Sequence, residues 1–150
     1  MSRKLALTCA AVCAALAVGA PGALARGSAD PGITPTSILL GGTAPLSGSA
    51  SAFSSVARGA EAYFKYVNAR GGVNGRKIDY KYLDDAYNPA QTVQATRQLV
   101  ESDKVFAIFN SVGTEHNQAI RDYLNQLQVP QLFPATGSTS FGRDYAKYPW

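Results

Sequence analysis

Val105-Phe106-Ala107-Ile108-Phe109 is an unbroken apolar row that runs into the polar and small residues Asn110-Ser111-Val112-Gly113-Thr114. A short run of this kind, rich in β-branched and aromatic residues, reads as a strand covered on both faces, the hallmark of a parallel sheet. Asn110 to Gly113 then reads as a loop, with Thr114 placed to cap a helix whose inner face carries Ala119, Ile120, Tyr123, Leu124 and Leu127. The same order recurs upstream, where Ile38-Leu39-Leu40 leads through Gly41-Gly42-Thr43-Ala44 into a small-residue loop, Pro45 to Ser51. Phe53, Val56, Ala60, Phe64 and Val67 then recur at helical spacing, and Gly71-Gly72 stops that helix.

Asn74-Gly75 marks a turn, and Ile78, Tyr80 and Tyr82 alternate with Lys77, Asp79 and Lys81 as a strand with one polar side, suited to a sheet edge. In Asn88-Pro89-Ala90-Gln91, Asn88 is the expected cap, Pro89 the first helical residue, and Gln91 the side chain that reaches back to the cap amide. Val93, Thr96, Leu99 and Val100 form that helix's buried face, and Val129 to Phe133 is a fourth strand that Pro130 confines to its first residues or to an edge. The order βαβαβαβ predicts an α/β fold, a three-layer parallel sheet with helices on both faces and right-handed crossovers. Ligands in such sheets bind beyond the carboxyl ends of the strands, where strand order reverses. The loops that matter are therefore Pro45 to Phe53, Asp84 to Tyr87, Asn110 to Thr114, and Pro134 to Ser140.

The chain has 150 residues, 46% hydrophobic and 16% charged, with 14 Lys+Arg against 10 Asp+Glu. That composition is globular. The small basic excess does not point to nucleic acid, since no basic run longer than Arg76-Lys77 occurs after Lys4. Arg3-Lys4, the apolar run Leu5 to Val18 and the small-x-small site Ala23-Leu24-Ala25 read as a cleaved signal peptide over 1–25, followed by a flexible leader over 26–36. The apolar run is too short for a bilayer span, and Pro21-Gly22 breaks it. A periplasmic or other extracytoplasmic location is expected. Cys9 and Cys13 both fall inside the run, so the exported part has no thiol for a disulfide, a metal or nucleophilic catalysis.

The loops offer little catalytic chemistry. Gly41 to Ser49 lacks the Gly-Lys-Ser/Thr of a phosphate loop and the spacing of a dinucleotide loop. Asp84-Asp85 has no His or Cys nearby and reads as a chain turn or a solvated pair rather than a metal site. His116 is the only histidine and no Gly-x-Ser-x-Gly elbow exists, so His116 is expected to be exposed or capping. What the loops do offer is donors: Ser47, Ser111, Thr114, Thr136 and Ser138, with the first amides of the helix after Thr114. Thr114 either caps its own helix or faces a ligand, and Phe53 either covers an apolar ligand group or packs inward.

Asn68-Ala69-Arg70-Gly71-Gly72-Val73-Asn74-Gly75-Arg76-Lys77-Ile78 resembles the helix-to-strand turn of the leucine/isoleucine/valine-type solute-binding proteins of ABC importers. Ala44-Pro45-Leu46-Ser47-Gly48, Asp84-Asp85, Asn88-Pro89-Ala90, Asn110 to Thr114 and Pro134-Ala135-Thr136-Gly137 stand in that family's order, and the resemblance extends from Pro31 to Trp150. It implies a two-lobed type I periplasmic binding protein, of which 37–150 is the N-terminal lobe, and a binding function with no catalytic residue, metal or cofactor. The implied ligand is a branched-chain amino acid or a related small organic acid or amide, and the implied partners are ABC permease subunits. By position Ser111 resembles the family's ligand-binding Ser and Ala135 its carbonyl donor, while Phe53 falls where an aromatic residue packs beside the ligand. Gly137 stands where branched-chain binders carry a hydroxyl-bearing Thr, a contact that is lost here or supplied by Thr136 or Ser138. The amides of Gly113 and Thr114, with Ser111 and Thr136, are the expected carboxylate donors. The ligand-binding domain of an extracellular sensor shares this architecture and is the alternative. Phe141 to Trp150 resembles the stretch before the crossing to the second lobe, so the chain is expected to be truncated there and to bind poorly alone.

Overall fold

The computed structural model describes residues 30–150. The expected signal peptide, and the leader before Asp30, lie outside the described residues. From Asp30 the stretch before the first strand forms a hydrogen-bonded turn: the Gly32 carbonyl accepts the Leu39 amide at 2.7 Å, and the Thr34 hydroxyl accepts the Ser37 amide at 2.8 Å.

The chain then forms β1 (Ser37–Ala44), a 3-10 turn (Ser51–Phe53), α1 (Ser54–Ala69) and β2 (Lys77–Asp84). After these come α2 (Pro89–Arg97) with a π-helical extension (Gln98–Ser102), β3 (Ala107–Phe109), α3 (Thr114–Gln126), β4 (Gln131–Leu132) and α4 (Ser140–Arg143). All neighbouring strands are parallel in the order β2-β1-β3-β4. β2 is the edge strand that its polar alternation predicted. β1 pairs with β2 through Ile38↔Ile78 on one side and with β3 through Leu40↔Ala107 on the other, so strand order reverses between β1 and β3.

Alternation along the strands divides the core between two faces. Leu40 and Ala107 pack with Phe64 of α1 on one face, with Ile38, Ile78 and Tyr80 around them. Ile108 packs with Leu99, Ile120 and Leu124 on the other, joined by Leu39 and Leu83. Leu99 is fully buried, and truncating it to alanine would cost about 2–5 kcal/mol. On the first face the Tyr80 hydroxyl crosses β1 to donate to the Phe109 carbonyl at 3.1 Å. A Cβ at Gly42 would collide with both of those partners, which is why β1 carries a glycine there.

Several local expectations change. Asn88 caps α2 by accepting from the amides of Ala90 and Gln91, but its own amide goes to the Asp85 carbonyl at 2.8 Å and not to Gln91. β3 and β4 are shorter than the apolar runs suggest. The buried stripe of α3 is His116, Asn117, Ile120, Arg121 and Leu124, while Leu127 is half exposed and Ala119 exposed. The Trp150 carbonyl accepts the backbone amide of Gln131 on the side of β4 away from β3.

Candidate functional site

At the carboxyl ends of β1, β3 and β4, next to the strand-order reversal, lies a cleft of about 210 Å3. A larger one of about 410 Å3 lies before the amino ends of β3 and β4, but it is lined mostly by apolar chain without convergent donors. The smaller cleft has both a polar floor and an apolar wall, the composition a small-molecule site needs.

The floor begins with α3. Its N-cap is Gly113 at φ 107°, and no side chain caps this end. Thr114 is therefore not the cap. Its hydroxyl lies 2.6 Å from that of Thr136, which also accepts the Ser138 amide at 3.1 Å. Two hydroxyls that share one hydrogen bond leave one proton free to turn toward a ligand. The uncapped first turn leaves the amides of Thr114, Glu115 and His116 for an outside acceptor, at the positive end of the helix dipole. Glu115, exposed in that same turn, opposes an incoming anion.

Ser111 and Asn117 hold this floor in place. The Ser111 hydroxyl is 1% exposed and accepts the Thr43 amide of β1 at 3.1 Å. The side-chain amide of the fully buried Asn117 donates to the carbonyls of Ser111 and Gly113, each at 2.7 Å, and the side-chain amide of Gln131 donates to Asn117 Oδ1 at 2.9 Å. Gly113 donates its amide to the Ala135 carbonyl at 3.1 Å, and Ala135 returns its own amide to the Ser111 carbonyl at 2.9 Å. The Gly113 amide, expected to face a carboxylate, is thus committed to the extension of the β3–β4 pairing through Val112↔Ala135.

The wall is aromatic. Phe53 is 54% exposed and does not pack inward, and its ring stacks near-parallel on Tyr87 with centroids 6.3 Å apart. Tyr87 in turn lies 4.3 Å from the His116 ring. His116, expected at the surface, is 3% exposed and neither ring nitrogen has a hydrogen-bond partner among the described residues. Its ring occupies the space in which a Cβ at Gly113 would sit.

Asp84 and Asp85 tie the first two loops together. Asp84 accepts from the Ser47 hydroxyl at 2.6 Å and from the amides of Leu46 and Ala86 at 2.8 and 2.9 Å. The Ser47 hydroxyl foremost, with those amides and against partial desolvation, holds the Asp84 carboxyl below its ordinary range. Asp85 is fully buried and accepts from the Tyr87 amide and the Thr92 hydroxyl.

Of the residues named from sequence, Phe53, Gly113, Thr114, Ala135, Thr136 and Gly137 line the cleft together. Ser47 and Ser111 do not: one is bound to Asp84 and the other lies beneath the floor. Tyr87, Val56 and Val112 complete the lining and were not among the named residues, although the loop that carries Tyr87 was. The signal for Tyr87 was an aromatic residue at the end of a strand-end loop, two positions after a carboxylate.

The family described as "Periplasmic binding protein" matches residues 37–150. A "Leu/Ile/Val-binding protein homolog 3" of Brucella melitensis is 36% identical over 102 residues, which is 67% of this chain and 27% of that protein. Among solved structures, a "substrate-binding periplasmic protein" from Ralstonia solanacearum superposes with a TM-score of 0.65 at 33% identity, covering 69% of this chain and 30% of that one. A "fatty acid ABC transporter substrate-binding protein" from Thermomonospora curvata gives 0.64 at 27% identity, covering 73% and 28%. The matched stretch spans under a third of each relative's length.

Proposed function

Since the chain belongs to the periplasmic binding protein family, we propose that it is the ligand-binding lobe of an extracytoplasmic substrate-binding component of an ABC importer, acting without catalysis. Its ligand is a branched-chain amino acid or a related small organic acid. The supporting observation is the uncapped α3 turn beside the Thr114–Thr136 hydroxyl pair, facing an apolar wall across one cleft. Free amides at a helix start favour a carboxylate, and the wall favours an apolar body. Leu, Ile and Val, and the fatty acids named for one structural neighbour, share those two parts.

A second lobe closing over the cleft is part of this reading. A ligand left wet on one side would have its hydrogen bonds weakened by competing water. Permease subunits would then recognise the closed form and take up the released ligand.

Calorimetry on the product of the whole reading frame, with L-leucine, L-phenylalanine, phenylacetate and their amides, tests the reading. We expect a carboxylate to bind and its amide to bind at least about tenfold more weakly. Thr136→Val should lower the affinity by about 1–3 kcal/mol while circular dichroism stays unchanged. Equal binding of acid and amide would overturn the carboxylate assignment.

A further inference from the structure

The wall of the cleft holds three features that the fold alone does not require. Ala86 and Tyr87 are consecutive non-glycine residues at φ 46° and 56°, in the left-handed region that side chains avoid. Asp85 and Thr92 fix this bend, since the Tyr87 amide is held by Asp85 Oδ1 at 3.1 Å and the Thr92 hydroxyl by Oδ2 at 2.8 Å. His116 is 3% exposed with neither ring nitrogen partnered among the described residues, a burial that a leucine would achieve without stranding polar atoms. What an imidazole has that leucine lacks is an aromatic ring, and the Tyr87 ring packs against it with centroids 4.3 Å apart and planes tilted by 35°. Tyr87 and Phe53 are meanwhile 43% and 54% exposed, near-parallel, and turned to the same cleft. Strain, an orphaned imidazole and exposed rings meet at one place, and such coincidences mark function.

We propose that Tyr87 and His116 are a specificity-determining pair: the buried His116 ring packs against the Tyr87 ring and positions it, and the Phe53–Tyr87 surface selects ligands whose apolar body is a planar aromatic ring. This rests on the carboxylate reading above and narrows it to aromatic acids, with the branched-chain amino acids as the weaker ligands of the same cleft. His116 acts through Tyr87 and is a positioning residue. Gly113 completes the arrangement, because any side chain there would displace the His116 ring.

The test is calorimetry on the same full-frame protein with two pairs matched in their polar group, L-phenylalanine against L-leucine and phenylacetate against 4-methylpentanoate. The aromatic member of each pair should bind about three- to tenfold tighter, the range expected for ring stacking. Tyr87→Phe should keep that ratio, Tyr87→Leu should bring it to about one, and His116→Leu should lower it. The wild-type ratio decides the matter even where a variant fails to fold. Aliphatic ligands binding as well as aromatic ones would overturn this inference and leave the carboxylate reading intact. An unchanged ratio in Tyr87→Leu would also overturn it. Binding of none of the four acids would remove the carboxylate reading and this inference with it.

Discussion

The Ser111 hydroxyl accepts the Thr43 amide where no solvent reaches, so alanine at 111 strands a buried N–H. Ser111→Ala should therefore lower unfolding stability by about 1–3 kcal/mol, read as a lower urea midpoint at an unchanged slope. Asp84 belongs to the same scale. Its carboxyl is held below the ordinary value of 3.8 by Ser47 and the loop amides, so its ionised form is favoured by folding. That contribution is complete above the unfolded-state value and is lost as pH falls through the lower folded-state one. NMR titration should place the Asp84 midpoint below 3.8, with the Ser47 amide shift tracking the same curve. Asp84→Asn should abolish that step. At Gly137 nothing lies within 4 Å of an added Cβ, so Gly137→Thr should fold normally. The new hydroxyl at the cleft's edge should raise affinity for an amino-acid ligand about two- to tenfold, measured by calorimetry.

Among the elements, α3 carries the most, and Asn117 is its pivot. One side-chain amide binds two carbonyls of the loop that forms the floor, and its oxygen accepts from the side chain of Gln131 in β4. Asn117→Ala leaves buried acceptors without donors and should cost about 2–4 kcal/mol by denaturant unfolding, with faster amide exchange in 111–114. The same helix explains why the sequence was legible only in part. Strand and helix alternation could be read because apolar spacing changes between period two and period 3.6, and the loops at the strand ends came from topology. The inner face of α3 resisted because His116, Asn117 and Arg121, polar by type, fill buried positions that hydrophobic patterning assigns to Ala119 and Leu127. Thr114 resisted for a different reason. Its hydroxyl can satisfy the helix start or a neighbour in space, and only tertiary structure brings Thr136 within 2.6 Å. Tyr87 was passed over because its turn into the cleft depends on a left-handed bend, which an aromatic residue at the end of a loop does not by itself announce.

At the level of the whole molecule, α3 and the stretch from Ser140 to Tyr148 meet around Arg121. Its guanidinium lies 3.7 Å from the Tyr148 ring centroid and 4.8 Å from that of Phe141, and it donates to the Ser140 carbonyl at 3.1 Å. This side chain clamps α4 and the turns after it onto α3. A lysine keeps the charge but cannot lie flat between two rings. Arg121→Lys should therefore loosen 139–148, seen as faster hydrogen exchange confined to that stretch, with a local loss of about 1–2 kcal/mol. Just beyond this clamp stands Trp150, the only tryptophan in the chain, whose carbonyl receives the Gln131 amide at the edge of β4. With a single indole 45% exposed at that junction, the intrinsic emission of these 150 residues is a label-free optical gauge of whether the stretch 141–150 is seated on the sheet or has swung into water.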